Sequence, residues 1–176
     1  MGTMGTMGIE AERKTMDNTS KSKMIGLVRE LTGVQRENEW VEFKENKSDP
    51  VEIGEYVSAL SNSAAIAGRN SAFIVWGVRD GDRAIVGTTF DPSTAKMGNE
   101  LLESWLLHKL SPRIGICFHE VDIDNNRVVL LEIDRAQRQP TRFDGDEYIR
   151  VGSYKKAEGL SGKSASALAI IRFDAV

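Results

Sequence analysis

The chain has 176 residues, of which 40% are hydrophobic and 28% charged, and its formal net charge is −3. This length suits one domain with a single core, and the composition excludes collagen-like, disulfide-scaffold and wholly disordered chains. The net charge also excludes a uniformly basic coat for nucleic acid, although it does not exclude a local basic patch. Cys117 is the only cysteine, so an intramolecular disulfide and a cysteine-rich zinc site are excluded and we expect no zinc.

The same features predict a cytoplasmic protein with no membrane partner. A single cysteine fits a reducing compartment, and no apolar run approaches the ~20 residues that span a bilayer. The N-terminus also lacks the continuous apolar core of a signal peptide.

The N-terminal region divides into an arm and a helix. Residues 1–22 contain three Met-Gly repeats followed by charged and small polar residues, which predicts a flexible leader arm. Met24, Ile25, Val28 and Leu31 then recur at helical spacing. A short helix is therefore expected, with Gly33 at its C-terminal end.

A strand is predicted next, ending at Lys44. Side chains alternate between the faces of a strand, so Val41 and Phe43 share one face while Glu42 and Lys44 share the other. The apolar pair predicts contact with a core. The carboxylate and the ammonium then lie side by side on the opposite face, where Glu42 is hydrated, paired with Lys44 or bound to a metal ion.

Residues 51–67 predict an amphipathic helix that begins near Pro50. One face carries Ile53, Tyr56, Val57, Leu60 and Ala64. Asn62 and the serines around it are small and polar, and two interpretations stay open for them. They belong either to a helix end that lies close to another backbone or to a solvated turn.

Residues 72–78 form an apolar run that predicts a strand buried on both faces. Asp80 and Gly81 follow, and Asp-Gly between apolar segments predicts a hairpin into residues 84–87. The turn alone is a sufficient reason for Asp80, so a functional role for it stays one of two alternatives.

The second half of the chain predicts one helix and several strands. Asp91 or Ser93 is a candidate N-cap for a helix that ends near residue 110. Residues 114–118 and 128–133 predict a second hairpin around a turn at residues 124–126.

Residues 136–143 predict a loop and residues 148–151 a last short strand, whereas the segment 159–176 supports no assignment. The order of elements predicts an α+β domain, with a mixed β-sheet and helices packed against it.

Most catalytic motifs are absent from the sequence. Asp122, Asp124 and Asn126 imitate the start of a calcium loop, but Arg127 replaces the required glycine, which indicates a simple turn. The only two histidines, His108 and His119, give weak support for a metal site. No phosphate-binding glycine loop and no serine-hydrolase elbow occurs.

A basic segment, residues 135–163, has seven cations against four carboxylates. The candidates for nucleic-acid binding are Arg138, Arg142, Arg150, Lys155, Lys156, Tyr148 and Tyr154. Aromatic faces beside cations suit stacking and phosphate contact with single-stranded nucleic acid. The alternative is a solvated charged surface with no ligand.

Four ordered motifs resemble the Schlafen AlbA-like family, a domain associated with DNA binding that also forms the core of the vertebrate Schlafen proteins. They are Glu-x4-Glu-Phe-Lys at residues 37–44, the helix at residues 53–67, Trp-Gly-Val-Arg-Asp-Gly at residues 76–81 and Tyr-Ile-Arg-Val-Gly-Ser-Tyr at residues 148–154. The resemblance covers residues 23–156 and implies a single lobe of that fold, with residues 157–176 as a C-terminal extension.

The resemblance also implies an activity. Catalytic members of the family use three acids, similar to Glu37, Glu42 and Asp80, to bind divalent metal and cleave RNA, with tRNA a preferred substrate. Carboxylate oxygens suit Mg²⁺ or Mn²⁺, which polarise a phosphoryl oxygen, and Lys44 would offset charge on the phosphate. The implied function is a metal-dependent endoribonuclease.

Two further expectations follow from departures from the family pattern. The vertebrate core has two lobes, so a second copy would be supplied here by homodimerisation. Many bacterial members are known only as DNA-binding or transcription-associated, which keeps a non-catalytic DNA-binding regulatory module as the alternative function. A protein-interaction domain is the third class, and it would bind no nucleic acid.

Overall fold

The computed structural model describes residues 6–33, 39–151 and 154–158, with side-chain surroundings for residues 18–33 and 39–150. The helices are α1 (Thr6–Gly33), α2 (Pro50–Ile66) and α3 (Leu102–Lys109). The strands are β1 (Val41–Lys44), β2 (Ser71–Trp76), β3 (Lys96–Met97), β4 (Glu100–Leu101), β5 (Leu110–Ser111), β6 (Ile116–Ile123), β7 (Asn126–Asp134), β8 (Arg142–Phe143), β9 (Asp146–Val151) and β10 (Tyr154–Glu158). None of the helices within these ranges combines the length and the apolar character needed to cross a membrane.

The main sheet has four strands in the order β1-β2-β7-β6. Strand β1 runs parallel to β2, whereas the β2–β7 and β6–β7 pairs are antiparallel. Asp124 and Asn125 have positive φ angles of 52° and 63° at the tight β6–β7 turn, which suits short polar side chains. The prediction of an α+β domain with a mixed sheet is confirmed.

Each face of this sheet has its own apolar cluster. Successive side chains of β2 point to opposite faces, so β2 contributes residues to both clusters. Phe73 and Val75 lie in a cluster with Val28 and Leu31 of α1. Ile74 and Trp76 instead lie in a cluster that includes much of the apolar stripe of α2. Strand β2 is therefore buried on both faces, as its unbroken apolar run predicts.

A second, antiparallel sheet in the order β10-β9-β8-β5 packs against α2. The helix and the sheet approach closely at Gly54, where a Cβ atom would lie 2.1 Å from Cε2 of Phe143. Glycine is costly inside a helix, and here it is needed because the Phe143 ring takes the space of a side chain. Helix α2 is thus held between the two sheets.

The predicted helix over residues 91–110 is wrong in its first half. Asp91 accepts hydrogen bonds from Ser93 and Thr94 within a local turn, so its carboxylate caps that turn and not a helix. The small hairpin β3–β4 follows, with Gly98 at a positive φ of 61°. Helix α3 therefore begins only at Leu102.

Three other predictions differ from the structure or fall outside it. Helix α1 begins at Thr6, within the arm that we predicted to be flexible. The predicted hairpin at Asp80 is reduced to a single bridge between Val78 and Ile85. The segment 159–176 lies outside the described residues.

Candidate functional site

Strand β1 places Glu42 and Lys44 at the edge of the main sheet, facing α2. Val41 and Phe43 point to the opposite face and join the cluster under α1, as the alternation predicts. The Lys44 and Glu42 side chains are only 8% and 13% exposed. A buried charge requires a partner, so these two side chains need further contacts beyond each other.

The partner of Glu42 is Arg150, which lies 108 residues later in the chain. Nη1 of Arg150 on β9 lies 2.7 Å from Oε2 of Glu42 and also donates a hydrogen bond of 2.8 Å to the carbonyl of Val41. The other carboxylate oxygen, Oε1, lies 3.4 Å from Nζ of Lys44. Both oxygens of Glu42 therefore already face cations.

Helix α2 supplies the remaining members of this group. Nζ of Lys44 lies 3.7 Å from Oε1 of Glu52 and 4.5 Å from the centre of the Tyr56 ring. Burial raises the pKa of Tyr56 above its ordinary value, and the charge of Glu42 and a hydrogen bond to it raise that pKa further. We call Glu42, Lys44, Glu52, Tyr56 and Arg150 the charged cluster; its two carboxylates balance its two cations.

The polar side of α2 brings β9 to this cluster. Asn62 is fully buried, and its amide donates to the carbonyls of Thr141 and Tyr148 while its oxygen accepts from the Thr141 backbone. Ser58 bonds to the backbones of the same two residues, and Ser63 accepts from the backbone of Arg150. Of the two interpretations of this segment, close approach to another backbone is confirmed.

The predicted acidic triad is described only in part. Glu37 lies outside the described residues. Asp80 is exposed in a turn, where its Oδ1 accepts a hydrogen bond from the backbone of Gly81. Within the part of the chain that the structure describes, no three acidic, histidine or cysteine side chains are grouped to hold a metal ion. These residues alone do not fit a divalent cation, since Glu42 already faces Lys44 and Arg150.

The predicted nucleic-acid-binding residues occupy different environments. Arg142 is exposed but pairs with Glu147 at 2.6 Å. Tyr148 packs against the core, and burial with the nearby charge of Glu55 raises its pKa. Arg150 is buried in the charged cluster and not on the surface. Of Tyr154, Lys155 and Lys156, only the backbone of β10 is described.

Arg138 is exposed and lines a cavity of about 270 Å³ at the open end of the β6–β7 pair. The other residues that line this cavity are Pro112, Arg113, Ile114, Gly115, Asp134, Gln137 and Gln139. Sequence reasoning missed Arg113 and both glutamines. The signal for the glutamines was present in Arg-Ala-Gln-Arg-Gln at residues 135–139, where amides alternate with cations in a loop.

Comparison with known proteins identifies the domain. The family described as Schlafen, AlbA_2 matches residues 37–158. The chain belongs to this family. The match includes the β1 motif, all of the charged cluster and the basic segment as far as β10. Membership indicates a nucleic-acid-binding domain. A separate comparison with proteins of curated function found no match.

Two solved structures resemble this Schlafen AlbA_2 domain. The DIP2311 protein of Corynebacterium diphtheriae matches with a TM-score of 0.45 and 16% identity over 79% of this chain, which spans only 27% of that protein chain. The N-terminal domain of a putative ATP-dependent DNA helicase RecG-related protein from Nitrosomonas europaea matches with a TM-score of 0.45 and 20% identity, over 78% of this chain and 82% of that chain.

Proposed function

We propose that this domain binds nucleic acid through a basic surface that includes the exposed Arg138 and Arg142 and the lysines of β10. The observation that carries the proposal is family membership over residues 37–158. The basic segment supports it, because β8, β9 and β10 gather much of that segment in one antiparallel sheet. In the β9–β10 register Lys155 lies opposite Arg150 and Lys156 opposite Ile149.

Arg150 has a different role in this proposal from the other cations. Its side chain is 6% exposed and its guanidinium donates to Glu42 and Val41, so a phosphate group has little access to it. We assign it the task of fixing β9 against β1. The phosphate contacts then belong to Arg138, to Arg142 once a phosphate competes with Glu147, and to the lysines of β10.

Metal-dependent cleavage of RNA is the second candidate function. What favours it is the family match over residues 37–158, which contains Glu37, Glu42 and Asp80, the three acids that resemble the metal ligands of catalytic members. The ion would have to replace Lys44 or Arg150 as the partner of Glu42. In this hypothesis Glu37, Glu42 and Asp80 bind Mg²⁺ or Mn²⁺ and the substrate is RNA, with tRNA as the first choice. Lys44 would then lie beside the reacting phosphate.

One experiment separates these functions. The protein is incubated with labelled tRNA, single-stranded RNA and duplex DNA at low salt, in Mn²⁺ and in chelator, and both binding and cleavage are measured. Cleavage of RNA only in Mn²⁺ supports the nuclease, whereas binding without cleavage supports the DNA-binding regulatory module. Failure to bind any nucleic acid leaves the protein-interaction domain and contradicts both.

We also propose that two copies associate to supply the second lobe that the vertebrate Schlafen core contains in one chain. Sedimentation velocity over a range of protein concentrations tests this proposal. A mass of one chain at all concentrations, with and without tRNA, would contradict it.

A further inference from the structure

The cavity at the end of the β6–β7 pair is bounded on one side by the backbone around Asp134, which several hydrogen bonds hold in place. The backbone nitrogen of Asp134 donates to the Gly115 carbonyl at 2.9 Å, and the Asp134 carbonyl accepts from the Ser61 hydroxyl at 2.8 Å. The next two backbone nitrogens, of Arg135 and Ala136, donate to Asn70 and Ser61. The chain is therefore fixed through residue 136.

The residues that line the cavity after this fixed segment are polar and exposed. Gln137, Arg138 and Gln139 follow the fixed segment, and all three are exposed, as is Arg113 on the opposite side. Neither Arg113 nor Arg138 makes an ion pair within the described ranges, whereas other cations do, such as Arg127 with Glu120 at 2.6 Å. Two arginines that lack carboxylate partners at one cavity favour an anionic ligand.

Gly115 and Asp134 determine the shape of the inner wall. A Cβ atom on residue 115 would lie 2.3 Å from Oδ2 of Asp134, so any side chain there would displace the carboxylate. An acceptor in this position repels a phosphate but suits an N–H or O–H donor. The cavity therefore has a cationic side for an anion and an acceptor for a donor group of the same ligand.

We propose that this cavity binds one unstacked nucleotide of a single-stranded nucleic acid. Its phosphate lies against Arg113 and Arg138, and its base edge contacts Gln137, Gln139 and the Asp134 carboxylate. The inference rests on the nucleic-acid binding proposed above and adds the mode of recognition. The volume of about 270 Å³ is close to the lower limit of roughly 300 Å³ for small-molecule sites, which suits a single nucleotide and not a duplex.

The side chains also predict a base preference. A carboxylate accepts from the exocyclic amine of cytosine, and a glutamine amide pairs with adenine through one donor and one acceptor. Uracil and thymine have no exocyclic amine. The bases with an exocyclic amine, adenine, cytosine and guanine, are therefore preferred by about tenfold over uracil or thymine, in line with the usual discrimination of a good base-edge pair.

Fluorescence anisotropy tests the proposal with labelled 12-nucleotide homopolymers of adenine, cytosine and uracil as RNA, and of adenine, cytosine and thymine as DNA. A preference for the RNA strands or for the DNA strands identifies which nucleic acid supplies the nucleotide. The double variant R113A/R138A should weaken binding at least tenfold and reduce the slope of log K against log salt by about 0.7, since the two arginines contact one phosphate and each phosphate contact to a single strand contributes ~0.7.

The variant Q137A/Q139A should bring the preference for adenine close to one, while the preference for cytosine, which depends on Asp134, and the salt slope stay at their wild-type values. The matched control is K23A/K96A, which removes two exposed lysines that also make no ion pair within the described residues. All variants should give the wild-type circular dichroism spectrum, because their side chains are exposed.

The outcomes separate this inference from the proposed function. Equal weakening of binding by R113A/R138A and K23A/K96A would overturn the cavity and remove Arg138 from the proposed surface, while nucleic-acid binding by the domain, through Arg142 and the lysines of β10, still stands. A wild-type protein that binds no strand and no duplex at low salt would overturn both. Loss of affinity confined to R113A/R138A, with the preference for adenine lost in Q137A/Q139A, would establish the nucleotide site.

Discussion

Arg150 and Glu42 are 108 residues apart in sequence, and their side chains meet with 2.7 Å between Nη1 and Oε2. The contact joins β9 of the second sheet to β1 at the edge of the main sheet. The same Nη1 satisfies the carbonyl of Val41, which would otherwise add to the open polar edge of the sheet. Breaking this pair should therefore loosen the two sheets from each other.

The variant Arg150→Ala should lower the free energy of unfolding by about 3 kcal/mol, the lower end of the range for removing one partner of a buried ion pair. Glu42 then keeps its charge and its contact with Lys44 but loses the ion pair with the Arg150 guanidinium. Urea denaturation followed by circular dichroism measures the change.

Arg142→Ala is the matched control for that measurement. Arg142 also pairs with a glutamate, Glu147, but its side chain is 45% exposed. Exposed pairs contribute about 0–1 kcal/mol, so the control should differ little from wild type. Equal losses in the two variants would show that the Arg150–Glu42 pair has no special structural role.

Asn62→Ala should destabilise the domain by at least about 2 kcal/mol, because two backbone groups lose the Asn62 side chain as a partner and each unsatisfied group costs roughly 1–3 kcal/mol. These groups are the nitrogen of Thr141 and the carbonyl of Tyr148, whereas the carbonyl of Thr141 keeps its hydrogen bond from the Ser58 hydroxyl. Asn18→Ala, on the exposed part of α1, is the control and should change stability by less than about 0.5 kcal/mol. A small loss at Asn62, measured by thermal unfolding, would mean that water replaces its amide.

These two sites show what the sequence could predict and what it could not. Alternation correctly assigned Val41 and Phe43 to one face of β1 and Glu42 and Lys44 to the other, because the period of a strand is a local property. The partner of Glu42 was not predictable from any local pattern. Arg150 belonged to a basic segment, and nothing in its neighbours distinguished a buried cation from an exposed one.

Helix α3 and Asn62 show the same limit. Asp91 can cap either a helix or a turn. A helix from Asp91 cannot form here, because the β3–β4 hairpin, with Gly98 at positive φ, takes up the following residues. Asn62 and its serines fitted both a solvated turn and a buried contact, since small polar side chains serve both. Tertiary contacts made between 79 and 90 residues along the chain settled that choice.

Gly54→Ala should destabilise the domain by about 1–3 kcal/mol, the usual cost of overpacking a core. The added methyl group would lie within the ring of Phe143, which is itself packed edge-on against Trp105. Gly26→Ala in α1 is the control, since a Cβ atom there meets no atom within 4 Å. That control should gain up to about 1 kcal/mol from helix propensity, and chemical denaturation compares the two variants.

Tyr56 should ionise after Tyr148 when the pH is raised. Burial is the largest cause of its raised pKa, followed by the charge of Glu42 and the hydrogen bond to it. Because the folded-state pKa lies above the ordinary 10.0, the stability that neutral Tyr56 contributes is fully present below pH 10.0 and is lost as the pH rises above it.

Alkaline titration followed by tyrosinate absorbance measures this order. Tyr56→Phe should remove a later step of the titration than Tyr148→Phe does, since burial, the charge of Glu42 and the hydrogen bond to Glu42 all raise the pKa of Tyr56. Loss of the first step in Tyr56→Phe would contradict the hydrogen bond with Glu42.

The last prediction asks whether Glu42 serves a metal ion or only the charged cluster. If Glu42 binds Mn²⁺ together with Asp80 and Glu37, Mn²⁺ at about 100 times its dissociation constant should stabilise the folded protein by ~2.7 kcal/mol and support RNA cleavage. Asp80→Asn should remove both effects without lowering stability in chelator, because Asp80 is exposed and bonds only to the Gly81 backbone among the described residues.

Glu42→Gln should also remove both effects, but it should lower stability in chelator, since Arg150 and Lys44 lose the charge that they share. Glu103→Gln, an exposed acid on α3, controls for the loss of one negative charge. If Mn²⁺ raises the unfolding temperature equally in all four proteins, the ion binds elsewhere. Glu42 is then the anchor of Arg150, and the domain is a nucleic-acid-binding module that holds its basic hairpin in place through a buried ion pair.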